Sequence, residues 1–196
     1  MSITLNLIML EGVTIMHIES TGIKEVKVIT PKLFKDSRGY LFESHKLNFN
    51  RDNGLPTNFV QDNEVQSKKG VIRGLHYQLN NPQGKLVRAV VGVVLDVAVD
   101  LRVGSPTFGE YEMVELSAEN KKMLYIPEGF AHGYLVTSSD SIVLYKCTNC
   151  YDPNDEYGIK WNDKTIGIDW NYSSPIISEK DDKLPTLNNQ TFLPKY

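Results

Sequence analysis

Several things are scarce in this sequence, and each scarcity excludes something. Its 196 residues contain two cysteines, Cys147 and Cys150, too few for the disulfide framework of a small secreted scaffold. No apolar run approaches the ~18–20 residues of a membrane-spanning helix. There is no basic excess: 21 Lys and Arg stand against 24 Asp and Glu, a formal net charge of −3. A free-standing nucleic-acid binder usually carries a net basic surface, so that class is disfavoured. Helix patterning is sparse, with one short candidate at 178–183. The apolar stretch Leu5–Leu10 has no Lys or Arg before it, is interrupted by Asn6, and meets Glu11 where a cleavage site would need small residues. It does not read as a signal peptide, and the cytoplasm is the expected location. Met16 offers a second start, so residues 1–15 read as an extension outside the fold and residues 16–196 as one domain. What is present is ordinary: 41% hydrophobic and 23% charged residues, enough apolar content to bury a core.

Period-two patterning dominates. Every odd position from Val87 to Leu101 is apolar, while the even ones include Arg88, Gly92, Asp96 and Asp100. This predicts strands with one face in a core and the other polar or lining a cavity. The run exceeds a typical strand, so Gly92 reads as a turn or bulge. Further strands are predicted at Lys24–Ile29, Tyr40–His45, Val71–Gln78, Tyr111–Leu116, Lys122–Ile126 and Ile142–Thr148, separated by Gly-, Pro- and Asn-rich turns. Many short strands at regular spacing indicate an all-β sandwich or barrel. Residues 64–105 hold six basic residues against three acids. That local excess suits a small anionic ligand, although a solvated charged face explains it equally well.

Two motifs carry chemistry. In Gly70-Val71-Ile72-Arg73-Gly74-Leu75-His76-Tyr77-Gln78 and Pro127-Glu128-Gly129-Phe130-Ala131-His132, the spacings resemble the two halves of the cupin signature, implying a double-stranded β-helix of the jelly-roll type with a few short helices. The departure is informative. The second His of the first half is Gln78, and no Glu follows within eight residues of His76. A first-row metal site wants about three N or O ligands, so the pattern predicts no metal and leaves His76 available as a base. Cys147-Thr148-Asn149-Cys150 has no second C-x-x-C to pair with, and it reads as coincidence. Ser178-x-x-Asp181 has the form of a helix capping box. The alternative is that Asp181 orients a histidine and supports its imidazolium form, and spacing alone does not choose.

A longer series of motifs narrows the resemblance. It runs through Phe34-x-Asp36-x-Arg38-Gly39-x-x-x-Glu43, the His76 segment, Gln83-Gly84-Lys85-Leu86-Val87-Arg88, Asp96–Arg102, Ser105–Gly109, Leu116–Asn120, Ile126–Gly133, Tyr145-Lys146 and Trp161-Asn162-Asp163. Together these resemble the dTDP-4-dehydrorhamnose 3,5-epimerase family from about His17 to Leu193. The resemblance implies epimerisation of a nucleotide-linked 4-keto-6-deoxyhexose at C3 and C5 without a metal or organic cofactor. It places the general base on His76, its carboxylate partner on Asp181 and the general acid on Tyr145. It implies phosphate and nucleotide contacts for Arg38, Gln61, Arg73 and Lys85, places Glu43 and Tyr151 near the base or sugar, and makes His132 and Asp96 further pocket residues. It also implies a homodimer whose strand exchange brings part of one chain near the partner's site.

These residue types suit that chemistry. The C4 ketone acidifies the protons on C3 and C5, a histidine works as a base near neutral pH, and a tyrosine hydroxyl supplies a proton from the other face. Lys85 offers charge for an enolate oxygen, and arginine holds a diphosphate through its planar fork. Three alternatives stay open. The first is the same chemistry on another sugar nucleotide, such as a GDP-linked heptose, or at C3 only. The second is a cupin that only binds an anionic sugar, which would not need a matched acid and base. The third is a metal-dependent oxygenase, which Gln78 disfavours.

Overall fold

The computed structural model describes residues 15–196. A six-stranded antiparallel sheet runs in the order β1 (Met16–Ser20), β2 (Lys27–Pro31), β10 (Met123–Ile126), β7 (Lys85–Val91), β12 (Asp140–Cys147) and β5 (Gln61–Lys68). A five-stranded sheet runs β13 (Glu156–Gly158), β6 (Ile72–Gln78), β11 (Phe130–Val136), β8 (Val93–Asp100) and β9 (Tyr111–Ser117). The remaining elements are a hairpin of β3 (Phe34–Asp36) and β4 (Gly39–Leu41), helices α1 (Leu47–Asp52) and α2 (Glu179–Asp182), and a 3-10 turn at Leu187–Asn189. Apart from β1–β2 and β8–β9, neighbouring strands are not consecutive in the chain, the crossed order of a jelly roll.

The two sheets face each other across an inner core. Val28, Val87, Ala89, Leu124 and Val143 come from one sheet and Val94, Ala98, Leu116, Phe130 and Val136 from the other. Each sheet is also covered on its outside. Ile166, Trp170 and Leu187 of the C-terminal segment pack on Ile72, Leu75, Val97, Val99 and Leu135 of the five-stranded sheet. Leu55, Phe49 and Phe59 cover Met16, Ile29, Leu86 and Met123 of the six-stranded one. Fully burying side chains of this kind contributes roughly 1.5–3 kcal/mol each.

Double coverage alters the period-two reading. The alternation continues through Gly92, but the turn there switches sheets and faces. Odd residues Val87 and Ala89 on β7 enter the inner core, whereas odd residues Val97, Val99 and Leu101 pack outside β8, leaving even Val94 and Ala98 inside. Gly92 has φ +72°, and a Cβ there would lie 2.1 Å from the Asp140 carbonyl, so glycine is required at this turn.

Other expectations shift in detail. Strand Lys24–Ile29 forms as β2, three residues later. Tyr40–His45 is not one strand: its start belongs to the short β4, and Phe42–His45 is irregular. Strands β1, β3, β5, β11 and β13 and helix α1 come in addition to those expected. The expected extension, residues 1–15, lies outside the described residues except for Ile15, whose carbonyl accepts from the Lys32 N–H at 2.8 Å.

Candidate active site

The site is built where β6 and β11 approach unusually closely. A Cβ on Gly74, which has φ +117°, would meet Gly133 Cα and the His132 carbonyl oxygen at 2.6 Å, and one on Gly133 would meet the Arg73 carbonyl oxygen at 2.5 Å. Only glycines allow this contact, and it coincides with a register shift between His132 and Tyr134. His76 and His132 become direct cross-strand partners.

Each histidine meets a carboxylate. His76 Nε2 lies 2.8 Å from Asp181 Oδ1, and the Gly74 N–H donates to Asp181 Oδ2 at 3.2 Å. A carboxylate only accepts, so Nε2 carries the proton and the lone pair of Nδ1 is left to act as a base. Burial pushes the Asp181 carboxyl up, but the bonds from His76, Gly74 and the Ser178–Asp181 turn outweigh it, and its pKa falls below the usual range. The two readings of Ser178-x-x-Asp181 therefore divide between atoms. The Ser178 hydroxyl accepts from the Asp181 N–H at 3.0 Å and caps α2, while the Asp181 side chain serves His76.

His132 Nε2 lies 3.1 Å from both oxygens of Asp96. Burial lowers its pKa despite that carboxylate, so this histidine stays neutral with its proton on Nε2. Asp96 is 0% exposed. It stands behind His132 as its support.

Opposite, the inner face of β12 presents Tyr145, following Val143 by period two. A cavity of about 510 Å³ lies between the sheets and is lined by His76, His132, Tyr145, Lys85, Arg73 and Asp181. Burial, with a small contribution from Cys147, pushes the Tyr145 phenol up to about 12, so the ring keeps its proton at neutral pH. Lys85 is 8% exposed. Burial lowers its pKa, against the pull of Cys147, Asp96 and Glu156. Among the described residues its ammonium has no hydrogen-bond or ion-pair partner, which leaves its donors available to a ligand. Arg73 is tied on one side, its Nε donating to Ser67 Oγ at 2.9 Å.

An adjoining pocket of about 250 Å³ shares His76, Lys85 and Tyr145 and adds Gln61, Tyr151 and Glu156. Gln61 Oε1 accepts from the Tyr151 N–H at 2.8 Å. Glu156 accepts from the Tyr151 hydroxyl and from Lys180 Nζ. Burial raises its carboxyl, but those two bonds outweigh it and leave its pKa lowered. Glu156 and Lys180 were not found by sequence reasoning. The only signal was that Lys180 precedes Asp181 and that Glu156 follows Tyr151 within one turn segment.

Arg38 and Glu43 are not brought to this cavity within their own chain. Arg38 sits at the tip of the β3–β4 hairpin with its guanidinium on Asp36, and Glu43 pairs with Lys46 at 3.2 Å. Gln78 is 3% exposed. Its amide donates to the carbonyls of Asn81 and Cys150 and accepts from the Asp152 N–H at 2.8 Å, so it ties loops together where a cupin ligand would stand. The described residues contain no group of three or more His, Cys, Asp or Glu side chains placed to hold a metal. Cys147 is buried, Cys150 is exposed, and both are free thiols.

The family model described as dTDP-4-dehydrorhamnose 3,5-epimerase matches residues 20–189. The dTDP-4-dehydrorhamnose 3,5-epimerase of Salmonella typhimurium is 51% identical over 176 residues, 88% of this chain and 96% of that protein. The chain belongs to this family. Its fold agrees at TM-score 0.90 with the dTDP-6-deoxy-D-glucose-3,5-epimerase from Legionella pneumophila solved in complex with dTDP-4-keto-L-rhamnose, which is 45% identical and covers 92% of this chain and 98% of that one. A 3′-monoepimerase from Streptomyces bikiniensis, solved with dTDP-quinovose, shares the fold at TM-score 0.84 and 32% identity, covering 90% of this chain and 92% of that one. The 3,5-epimerase family thus accounts for the cupin-type β-fold expected from the two half-motifs. No helix among the described residues is long and apolar enough to cross a membrane.

Asp181 gives a prediction that separates its carboxylate from the cap. Asp181→Asn keeps the backbone N–H that Ser178 caps, so the melting temperature should fall only modestly. Turnover should drop about 10²-fold, because His76 loses the acceptor that fixes its tautomer and supports its cation. Binding of dTDP should stay within a few-fold of wild type. Turnover close to wild type would show that His76 does not need this partner.

Proposed function

We propose that this epimerase inverts C3 and C5 of dTDP-4-keto-6-deoxyglucose, giving dTDP-4-keto-L-rhamnose. The observation that carries the reading is the His76–Asp181 pair facing Tyr145 across one cavity, with Lys85 and Arg73 on its wall. His76 Nδ1 takes the proton from the carbon next to the C4 ketone. The C–H electron pair becomes an enolate, whose oxygen Lys85 stabilises by charge or donation. The Tyr145 hydroxyl then protonates the same carbon from the opposite face of the ring, inverting it. Solvent restores the tyrosine proton and removes the one held by His76. The same cycle at the second carbon completes the reaction.

Arg73 and Lys85 hold the diphosphate, whose binding energy positions the ring. Tyr151 and Gln61 lie on the side where the nucleoside enters. The homodimer expected from the family resemblance is part of this proposal. The β3–β4 hairpin leaves Phe34, Tyr40 and Leu41 exposed, and we assign it, with Arg38 and Glu43, to the partner's site. A single-chain mass in light scattering would remove the hairpin from the account.

The test is a panel of 4-keto-6-deoxy sugars linked to dTDP, UDP and GDP. The dTDP substrate should have the highest kcat/KM, with product inverted at both carbons. Preference for a GDP-linked sugar, or inversion at C3 alone, would move the chain to one of the neighbouring activities.

A further inference from the structure

Tyr134 stands in the middle of the site's wall, and the mechanism does not use it. It is the cross-strand partner of Arg73 on one side and of Asp96 on the other. Its ring packs into the inner core at 2% exposure, a place phenylalanine would fill equally well. Its hydroxyl is buried with no hydrogen-bond partner. A buried hydroxyl without a partner is costly, so the oxygen calls for a reason that packing does not give.

The polar groups nearest in the fold supply one. Burial raises the Tyr134 phenol, and the neighbouring Ser67 and Arg73 pull the other way. Ser67 Oγ accepts from Arg73 Nε at 2.9 Å and is 5% exposed, and its own hydroxyl proton has no acceptor among the described residues. A donor lacking an acceptor thus stands beside an oxygen lacking a donor. A small shift of the Ser67 and Tyr134 side chains toward each other closes the chain from Arg73 through Ser67 to Tyr134. Closed in this way, the chain fixes the direction of the guanidinium from behind, together with the 3.4 Å bond from Arg73 Nη2 to the Gln66 carbonyl, while Arg73 itself lines the cavity.

We propose that Tyr134 is a positioning residue for the substrate's diphosphate, acting through Ser67 to aim the Arg73 guanidinium. This rests on the assignment of Arg73 to the diphosphate. The test uses the full-length protein and dTDP as the probe. Tyr134→Phe should weaken dTDP about 3- to 10-fold, the size of one ordinary hydrogen bond. KM for the sugar nucleotide should rise in parallel, kcat should stay within about twofold, and the melting temperature should hold or rise because a buried polar atom has been removed. In an Arg73→Ala background the same change should cost nothing more.

Wild-type dTDP affinity in Tyr134→Phe, with Arg73→Ala clearly weakened, would overturn the positioning role alone. An additive loss in the double variant would also overturn it, because Tyr134 would then act without Arg73. Unchanged affinity in Arg73→Ala itself would instead sink the assignment of the diphosphate to this wall.

Discussion

His76→Ala should abolish solvent deuterium exchange at both C3 and C5, lowering turnover by 10²- to 10⁴-fold or more, the usual cost of removing a positioned general base. Both carbons should suffer together, because the other histidine, His132, is a weakened base: it gives its Nε2 proton to Asp96 as His76 does to Asp181, but burial lowers its pKa. The alanine variant also strands the buried Asp181 carboxylate, so it should melt earlier. His76→Gln separates the two effects. It keeps an N–H donor for Asp181 but has no basic nitrogen, and it should be as inactive as the alanine variant while recovering part of the stability. Near-wild-type exchange in a folded variant of either kind would show that His76 is not the base.

Tyr145→Phe should split the reaction in two. The phenylalanine keeps the ring against the inner core and its edge contact with His132, 6.3 Å between centroids. Only the hydroxyl is lost, and among the described residues that hydroxyl has no hydrogen bond to lose. With its phenol held near 12 by burial, Tyr145 is a donor at neutral pH, so the variant should still release the substrate proton to His76. It should return a proton poorly to the opposite face. Inverted product should therefore fall by 10²-fold or more, while deuterium wash-in falls far less. Equal and complete loss of both would mean that Tyr145 serves binding or the positioning of the base. Both rates within a few-fold of wild type would reduce it to packing.

Much of the site was legible because its residues sit in motifs whose local geometry is forced. The two half-motifs around His76 and His132 carry the cupin fold, and Gln78 announces the loss of a cupin ligand. The pairing of Asp181 with His76 was legible only as one of two options, because it joins residues 105 apart and nothing local selects it. Strand β11 showed no alternation because all seven of its residues are buried. Strand β5, an edge strand rich in Gln, Asp, Asn and Glu, carries no apolar alternation to mark it. Glu156 and Lys180 escaped because their link to the site is tertiary, through Tyr151 and the turn that carries Asp181.

The central claim is that two carbons flanking one ketone exchange protons through one base. It is tested most directly by running the reaction on dTDP-4-keto-6-deoxyglucose in deuterium oxide and assigning the product by NMR and mass spectrometry. The account predicts solvent deuterium at both C3 and C5 of doubly inverted product, with His76→Ala blank at both positions. Product inverted at either carbon with its original hydrogen retained would contradict it, since no proton would then have passed through the solvent-exchanging His76 and Tyr145.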